Sequence, residues 1–195
     1  MKRDTILSTA ARLFAERGFN NTPTSLLARE AGVAEGTIFR HFKTKDDIFL
    51  TLIRNVKDQL ISDIEKYLEV RAPETSIEKV VSIIKSFYVF VKKNRMEFSL
   101  IFRDAPTRYG ERNDNVFLAI KDIYTYLGDY VLQALQEGQR DGSIRADINT
   151  RDTAHMLVST MAGLVRAIHF QFIEPSDDLL RNVVDNCTNF LKPRA

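Results

Sequence analysis

The sequence has few of the residues that would indicate a disulfide-rich, metal-binding or sheet protein. Among its 195 residues there are one cysteine, no tryptophan, eight glycines and five prolines. Cys187 has no partner for an internal disulfide, and the three histidines are too far apart along the chain to give a metal-ligand spacing. We therefore expect no metal site, and a reducing cytoplasm as the location.

Long apolar runs are also missing. No strictly apolar run is longer than the one at residues 87–91, which is far shorter than the roughly 18 residues that span a bilayer. The apolar residues near the N-terminus are interrupted by Arg12 and Glu16, so they do not form a signal-peptide core. Because β-branched alternation is absent as well, the sequence predicts an all-α protein without a membrane segment.

The charges are nearly balanced, with a formal net charge of +2. The chain is therefore not a polycation, and any affinity for nucleic acid must come from a local cluster of basic residues. Arg40, His41, Lys43 and Lys45 form such a cluster. An ordinary solvated face is the alternative interpretation of these residues.

Apolar periodicity and cap residues predict about nine helices. The first ends at Gly18, the second covers residues 23–31 with Thr22 as its cap, Gly32 makes a turn, and the third covers residues 34–41. Six further helices are expected over about 44–70, from 75 onward, and over 95–103, 114–137, 151–172 and 176–191. Gly138 and the Asp141-Gly142 pair are expected to end the helix that starts at 114.

The second and third helices, joined by a glycine turn, have the pattern of a helix-turn-helix motif. Its second helix, which begins near Gly36 and Thr37 and carries Phe39, Arg40 and His41, is expected to enter the DNA major groove. The sequence therefore predicts a DNA-binding regulator.

Three segments carry a resemblance to a known family. Arg17-Gly18-Phe19, Ala31-Gly32-Val33 and the stretch from Gly36 to Phe42, followed by Lys45, closely resemble the TetR family of bacterial regulators over about residues 3–53. A weaker similarity to the regulatory domain of that family covers residues 142–147 and 161–165.

The resemblance implies two domains and a function. Residues 1–46 would form a helix-turn-helix DNA-binding domain, and residues 47–195 a helical ligand-binding and dimerisation domain. The protein would be a homodimer on a palindromic DNA operator, usually a repressor that a small hydrophobic or aromatic molecule releases. Control by a protein partner, and activation instead of repression, are the alternatives. We expect neither an enzyme nor a cofactor, because the sequence shows no catalytic triad and no phosphate-binding glycine loop.

The resemblance also implies roles for individual residues. Thr37 and Phe39 would lie at the groove floor or at sugar-phosphate, while Thr22, His41 and Lys45 would bind phosphates. Arg40 is the candidate for base reading, since a guanidinium that donates twice to guanine provides roughly 1–3 kcal/mol of discrimination. The predicted DNA-binding set is Thr22, Thr24, Glu35, Gly36, Thr37, Phe39, Arg40, His41 and Lys45.

Two positions depart from the common pattern of the family. Ala34 stands where a serine or threonine often caps the recognition helix, and Pro23 stands where a threonine is frequent. Glu35 also places a negative charge close to DNA. Glu35 could stabilise the start of its own helix, or it could accept a hydrogen bond from a cytosine amino group.

The C-terminal part of the chain is rich in aromatic residues, which could line an apolar ligand cavity or simply fill a core. The predicted pocket set is Phe87, Phe98, Phe102, Arg103, Phe117, Tyr124 and His155. The last two helices carry wide apolar stripes that two copies could combine in a four-helix bundle, with packing inside one monomer as the alternative. The predicted dimer set is Leu157, Met161, Leu164, Ile168, Leu180, Val183, Val184, Cys187 and Phe190.

Overall fold

The computed structural model describes residues 2–103 and 115–194, and this described part consists of nine α-helices joined by turns. The all-α prediction is confirmed. The helices are α1 (Lys2–Arg17), α2 (Thr24–Glu30), α3 (Glu35–His41), α4 (Lys45–Arg71), α5 (Ser76–Lys93), α6 (Arg95–Arg103), α7 (Asn115–Asp141), α8 (Thr150–His169) and α9 (Asp177–Leu191). None of the described helices is long and apolar enough to cross a membrane.

The chain forms two compact units. Unit 1 contains Met1–Gln59 and Asn94–Asp122, and unit 2 contains Leu60–Lys93 and Ile123–Ala195. This partition follows packing and assigns α6 to the same unit as the N-terminal helices. The functional boundary after residue 46 stays a prediction.

Unit 1 is organised around α1, which packs against α2, α3 and α6. Its apolar side is closed by three aromatic rings: Phe14 lies 5.2 Å from Phe19 and 5.9 Å from Phe49, and Phe19 lies 5.2 Å from Phe49. Gly18 ends α1 with a φ of 85°, and its N–H donates to the Phe14 carbonyl over 2.8 Å. The predicted end of the first helix is confirmed, since glycine adopts this left-handed conformation without a steric penalty.

The predicted cap of the second helix is wrong. α2 starts at Thr24 after Pro23, with no side-chain cap. Thr22 is fully buried, and its hydroxyl donates to the Gly18 carbonyl over 2.9 Å. The carbonyl groups at the end of α1 therefore hold this side chain, so it does not bond to the start of α2.

Capping boxes close the starts of α4 and α5. The Thr44 N–H donates to Asp47 Oδ2 over 3.0 Å, and the Asp47 N–H donates to Thr44 Oγ1 over 3.1 Å, which closes the start of α4. Thr75 and Glu78 exchange the equivalent bonds at the start of α5.

Helix α7 continues beyond its predicted end. It runs through Gly138 to Asp141 and stops before Gly142, which has a φ of 78°. The buried side chain of Ile144 explains the glycine at 138, because a Cβ there would lie 2.4 Å from Ile144 Cδ1. Gly138 thus provides space for packing and does not end the helix.

Helix α8 ends three residues earlier than predicted. Gln171 has a φ of 58°, and the Phe172 N–H donates to the Ala167 carbonyl over 2.9 Å. This closure is the Schellman motif, here made with glutamine where glycine is usual. The sequence did not predict this helix end, because glycine is the residue that normally indicates a Schellman motif and glutamine does not.

In unit 2, α5 packs against α8 and α9. Its first turn is capped from a distant part of the chain: the Ser76 N–H donates to Asp141 Oδ2 over 3.0 Å and the Ile77 N–H to Ser143 Oγ over 3.2 Å. The Ser143 N–H also donates to Asp141. These bonds to Ser143 and Ser76 hold the pKa of the Asp141 carboxyl far below its usual range.

Candidate nucleic-acid interface

Helix α3 presents an exposed face that two apolar side chains fix in place. Ile38 and Phe42 are buried, whereas Phe39 keeps 49% of its surface exposed and Arg40 and His41 are exposed. A large exposed aromatic ring followed in the sequence by two basic residues is unusual on a surface that contacts only water. The arrangement suits insertion of α3 into a DNA groove.

The turn before α3 is defined by backbone hydrogen bonds. Gly32, with a φ of 65°, donates its N–H to the Arg29 carbonyl over 3.2 Å, and the Val33 N–H donates to the Ala28 carbonyl over 3.0 Å. A second Schellman closure therefore ends α2. The predicted turn at Gly32 is confirmed, and it sets the direction in which α3 leaves α2.

A side-chain bond joins the starts of the two helices of the motif. The Thr24 hydroxyl donates to Glu35 Oε1 over 2.6 Å. Glu35 and Gly36 are exposed, and Thr24 and Thr37 are partly exposed. Thr22, in contrast, is buried, so its hydroxyl is not on the surface where a phosphate contact was predicted.

Lys45, at the first residue of α4, has an intramolecular partner. Its Nζ donates to the Phe19 carbonyl over 2.9 Å and lies 4.2 Å from the centre of the Phe19 ring. An ammonium has three donors, so the predicted phosphate contact is compatible with this bond. It stays a prediction.

Sequence reasoning missed one cation near α3. The Arg3 guanidinium lies 5.3 Å from the centre of the Phe42 ring. Phe42 directly follows Arg40 and His41, the last two residues of α3. Periodicity in α1 does not reveal this contact, because it depends on how α1 and α3 pack. Lys43, the residue after Phe42, is exposed. Arg3 and Lys43 extend the basic surface of the motif.

The comparison with known proteins agrees with this geometry. A sequence profile described as bacterial regulatory proteins of the tetR family matches residues 6–52, which cover α1, α2, α3 and the first turns of α4. The fatty acid metabolism regulator protein of Bacillus subtilis is 28% identical over 162 residues, covering 80% of this chain and 77% of its own length. Residues 6–52 therefore form a DNA-binding region of the TetR family.

Solved structures of relatives have the same fold over nearly the whole chain. The transcriptional regulator FadR of Bacillus subtilis, in complex with stearoyl-CoA, superposes with a TM-score of 0.78 at 22% identity and covers 96% of this chain and 98% of its own. A transcriptional regulator of Saccharomonospora viridis in complex with choline superposes with a TM-score of 0.84 at 24% identity, covering 98% of each chain. Together, the sequence profile and the Bacillus subtilis relative show that the chain is a DNA-binding transcriptional regulator.

The predicted pocket residues are divided between the two units. Phe98 is buried and Phe117 partly buried in unit 1. In unit 2, Phe87 is buried, whereas Tyr124 and His155 are exposed. The side chains of Phe102 and Arg103 lie outside the described part of the structure. The pocket assignment stays a prediction.

Tyr88 in unit 2, which is not in the predicted pocket set, is a candidate for a polar contact with a ligand. Tyr88 on α5 is buried, and its hydroxyl has no hydrogen-bond partner among the described residues. Burial, and secondarily Cys187 on α9, raises the pKa of Tyr88 well above its ordinary value, so the hydroxyl stays protonated and able to donate. No sequence signal distinguishes Tyr88 from its aromatic neighbours on α5.

The predicted dimer residues fall into two groups. Leu157, Met161 and Val184 are buried within the single chain. The others on α8 and α9 keep part of their apolar surface exposed: Leu164, Ile168, Leu180, Val183, Cys187 and Phe190. Burial raises the pKa of the Cys187 thiol, which is unfavourable for thiolate chemistry. In the described residues no three His, Cys, Asp or Glu side chains come close enough to hold a metal ion.

Proposed function

We propose that this TetR-family regulator is a homodimeric repressor that binds a palindromic operator through α3 and leaves it when a small apolar molecule binds the C-terminal domain. The exposed face of α3, anchored by Ile38 and Phe42, carries the proposal. Arg40 reads bases on this face, and His41 and Lys43 contribute phosphate contacts. The DNA-binding domain is residues 1–46 and the ligand-binding and dimerisation domain residues 47–195.

The dimer proposal rests on apolar surface that one chain leaves uncovered. Leu164 and Ile168 on α8, with Leu180, Val183 and Phe190 on α9, each retain exposed apolar area. Burying such area gains about 25 cal/mol per Å², and a second copy offers the same surface around a two-fold axis. Two recognition helices about one DNA turn apart then match a palindromic operator.

An acyl-CoA is the effector class that we propose to test first. A curated relative is a fatty acid regulator, and a structural neighbour holds stearoyl-CoA. The Tyr88 hydroxyl supports a ligand with a hydrogen-bond acceptor, because an unpaired buried hydroxyl costs roughly 1–3 kcal/mol that such a ligand would offset. Choline, held by another neighbour, is the contrasting chemistry.

The proposal also covers how the protein acts and where it acts in the cell. The protein acts by binding and not by catalysis, and it works in the cytoplasm, where its operator is accessible. In this proposal the signal is a hydrophobic effector, with a protein partner as the alternative. Repression or activation then depends on where the operator lies relative to the promoter.

The DNA-binding part is tested by selecting bound sequences from a random duplex pool with purified protein at a fixed salt concentration. We expect a palindromic consensus whose half-sites lie about one helical turn apart. Sedimentation of the protein with that duplex is expected to give two chains per site. Recovery of random sequence would refute the proposal.

The effector part is tested with stearoyl-CoA, free coenzyme A and choline as separate additions. We expect stearoyl-CoA to raise Tm and to weaken operator binding, since a ligand shifts only an equilibrium between states for which it has different affinities. Free coenzyme A controls for the nucleotide part. Equal operator affinity with and without every addition contradicts release by this class.

A further inference from the structure

A hydrogen bond between Thr24 and Glu35 lies on the surface that we propose contacts DNA bases. Thr24 is the first residue of α2 and Glu35 the first residue of α3, and their side chains meet at 2.6 Å. This distance is typical of a hydrogen bond from a hydroxyl to a carboxylate. Such a bond is stronger than a hydrogen bond between two neutral groups. The bond therefore holds the Glu35 side chain in one position.

The bonded pair has acceptors and no donor on its outer side. The single hydroxyl proton of Thr24 lies in the bond, and an ionised carboxylate only accepts. In the described residues, no other side-chain hydrogen bond involves Thr24 or Glu35. Glu35 is exposed and Thr24 partly exposed, so Glu35 Oε2 is open to a donor from outside the chain.

This chemistry excludes most partners on a duplex. Phosphate oxygens, guanine O6 and N7 and thymine O4 are all acceptors, so none of them bonds to the pair. The donors in the major groove are the amino groups of cytosine and adenine. The adenine amino group lies beside the N7 acceptor, which repels a carboxylate, whereas the cytosine amino group has a C–H neighbour in its own ring.

We propose that Glu35 reads the N4 amino group of one cytosine in each operator half-site, and that Thr24 positions Glu35 for this contact. The inference rests on the proposed function, because it needs α3 in the major groove. Thr24 then has a role different from direct phosphate binding. Its hydroxyl restricts the rotamers of the glutamate and leaves the second carboxylate oxygen facing the base.

The test compares consensus sequences selected from one random duplex pool by four proteins: wild type, Glu35→Gln, Thr24→Val and Thr24→Ser. We expect wild type to select a cytosine at one position per half-site. Glu35→Gln is expected to lose that preference at least about fivefold and to favour adenine, whose N6 and N7 suit an amide. Thr24→Val, which lacks the hydroxyl, weakens the cytosine preference, whereas Thr24→Ser retains it.

Each contrary outcome has a distinct meaning. If Glu35→Gln raises affinity equally for all sequences with an unchanged consensus, Glu35 acts only as a negative charge near phosphate, and the inference fails while the proposed function stands. A Thr24→Val consensus identical to that of wild type overturns the positioning role. A wild-type protein that enriches no palindrome refutes the proposed function, and the inference with it.

Discussion

The Lys45 ammonium lies 2.9 Å from the Phe19 carbonyl oxygen and 4.2 Å from the centre of the Phe19 ring. A cation held by a carbonyl and an aromatic face stabilises the fold as well as contributing positive charge. Lys45 thereby connects the start of α4 to the segment that follows α1. Lys43, two residues earlier, is exposed and serves as its matched control.

We expect Lys45→Ala to lower the free energy of unfolding by about 1 kcal/mol, because both contacts with Phe19 are lost. Lys43→Ala is expected to leave that free energy unchanged and to reduce the slope of log affinity against log salt by about one phosphate equivalent. Denaturant unfolding and operator titration at several salt concentrations measure the two effects. A Lys45→Ala protein with wild-type stability would argue against the structural role.

Arg40→Ala is expected to relax the preference for guanine at one base pair in each half-site, by roughly fivefold to a hundredfold. The physical reason is the loss of a guanidinium that donates two hydrogen bonds to one base. Competition between operators that differ at single positions measures it. A uniform loss of affinity across all of those operators would instead assign Arg40 to phosphate binding.

Tyr88→Phe is expected to leave the ligand-free protein as stable as wild type or up to about 1 kcal/mol more stable, since it removes a buried hydroxyl without a partner. The rise in Tm that stearoyl-CoA produces is expected to shrink. Tyr126→Phe is the control, because burial, followed by the neighbouring Tyr130 and Glu65, raises the pKa of Tyr126, and we expect loss of this hydroxyl to destabilise the protein by up to about 1 kcal/mol. Destabilisation of the ligand-free Tyr88→Phe protein would show that the hydroxyl has a partner.

Two glycines in α7 offer a matched pair for a packing test. Gly138→Ala is expected to destabilise the protein by about 1–3 kcal/mol, since the new Cβ would meet the buried Ile144 at 2.4 Å. Gly128→Ala has open space around its Cβ and is expected to stabilise the helix by up to about 1 kcal/mol. Thermal unfolding of both proteins checks the prediction. Equal effects at the two sites would contradict the packing role of Gly138.

The pair of Lys79 on α5 and Glu137 on α7 predicts a dependence on pH. A 2.8 Å bond from Lys79, followed by one from Gln133, holds the pKa of Glu137 below its ordinary value. A depressed pKa gives stability that is present above the unfolded pKa and is lost as pH falls through the folded value. Because both side chains are partly exposed, the contribution is at most about 1 kcal/mol.

We therefore expect Glu137→Gln to be less stable than wild type at pH 7, with a difference that shrinks as pH falls through the acid range. Lys79→Met is the control, since it removes the same pair from the other side. Urea unfolding at several pH values measures both proteins. A difference that does not change with pH would exclude ionisation of Glu137 as its cause.

The parts of the fold that sequence could predict are those set by local chemistry. Thr44 with Asp47, and the left-handed glycine at 18, act within one turn of the helices that they begin or end. Thr22 and Gly138 were misassigned because tertiary neighbours determine their roles: the end of α1 takes the hydroxyl of Thr22, and Ile144 occupies the space beside Gly138.

The candidate site divides in the same way. The composition and spacing of residues 36–42 predict a recognition helix, because a glycine start, apolar anchors and basic residues occur within two turns. The bond between Thr24 and Glu35, and the contact of Arg3 with Phe42, join residues that are distant in sequence. Periodicity does not reveal such pairs, since it describes one helix at a time.

The capping of α5 by Asp141 and Ser143 has a consequence for the order of folding. The amide groups of Ser76 and Ile77 receive their partners from residues that lie 65 and 66 positions later in the chain. During synthesis the first turn of α5 is therefore incomplete until the turn after α7 has been made, because exposed helix amides need partners. A nascent chain that stops before Asp141 leaves this end of α5 to fray, so unit 2 acquires its stability late and as a whole.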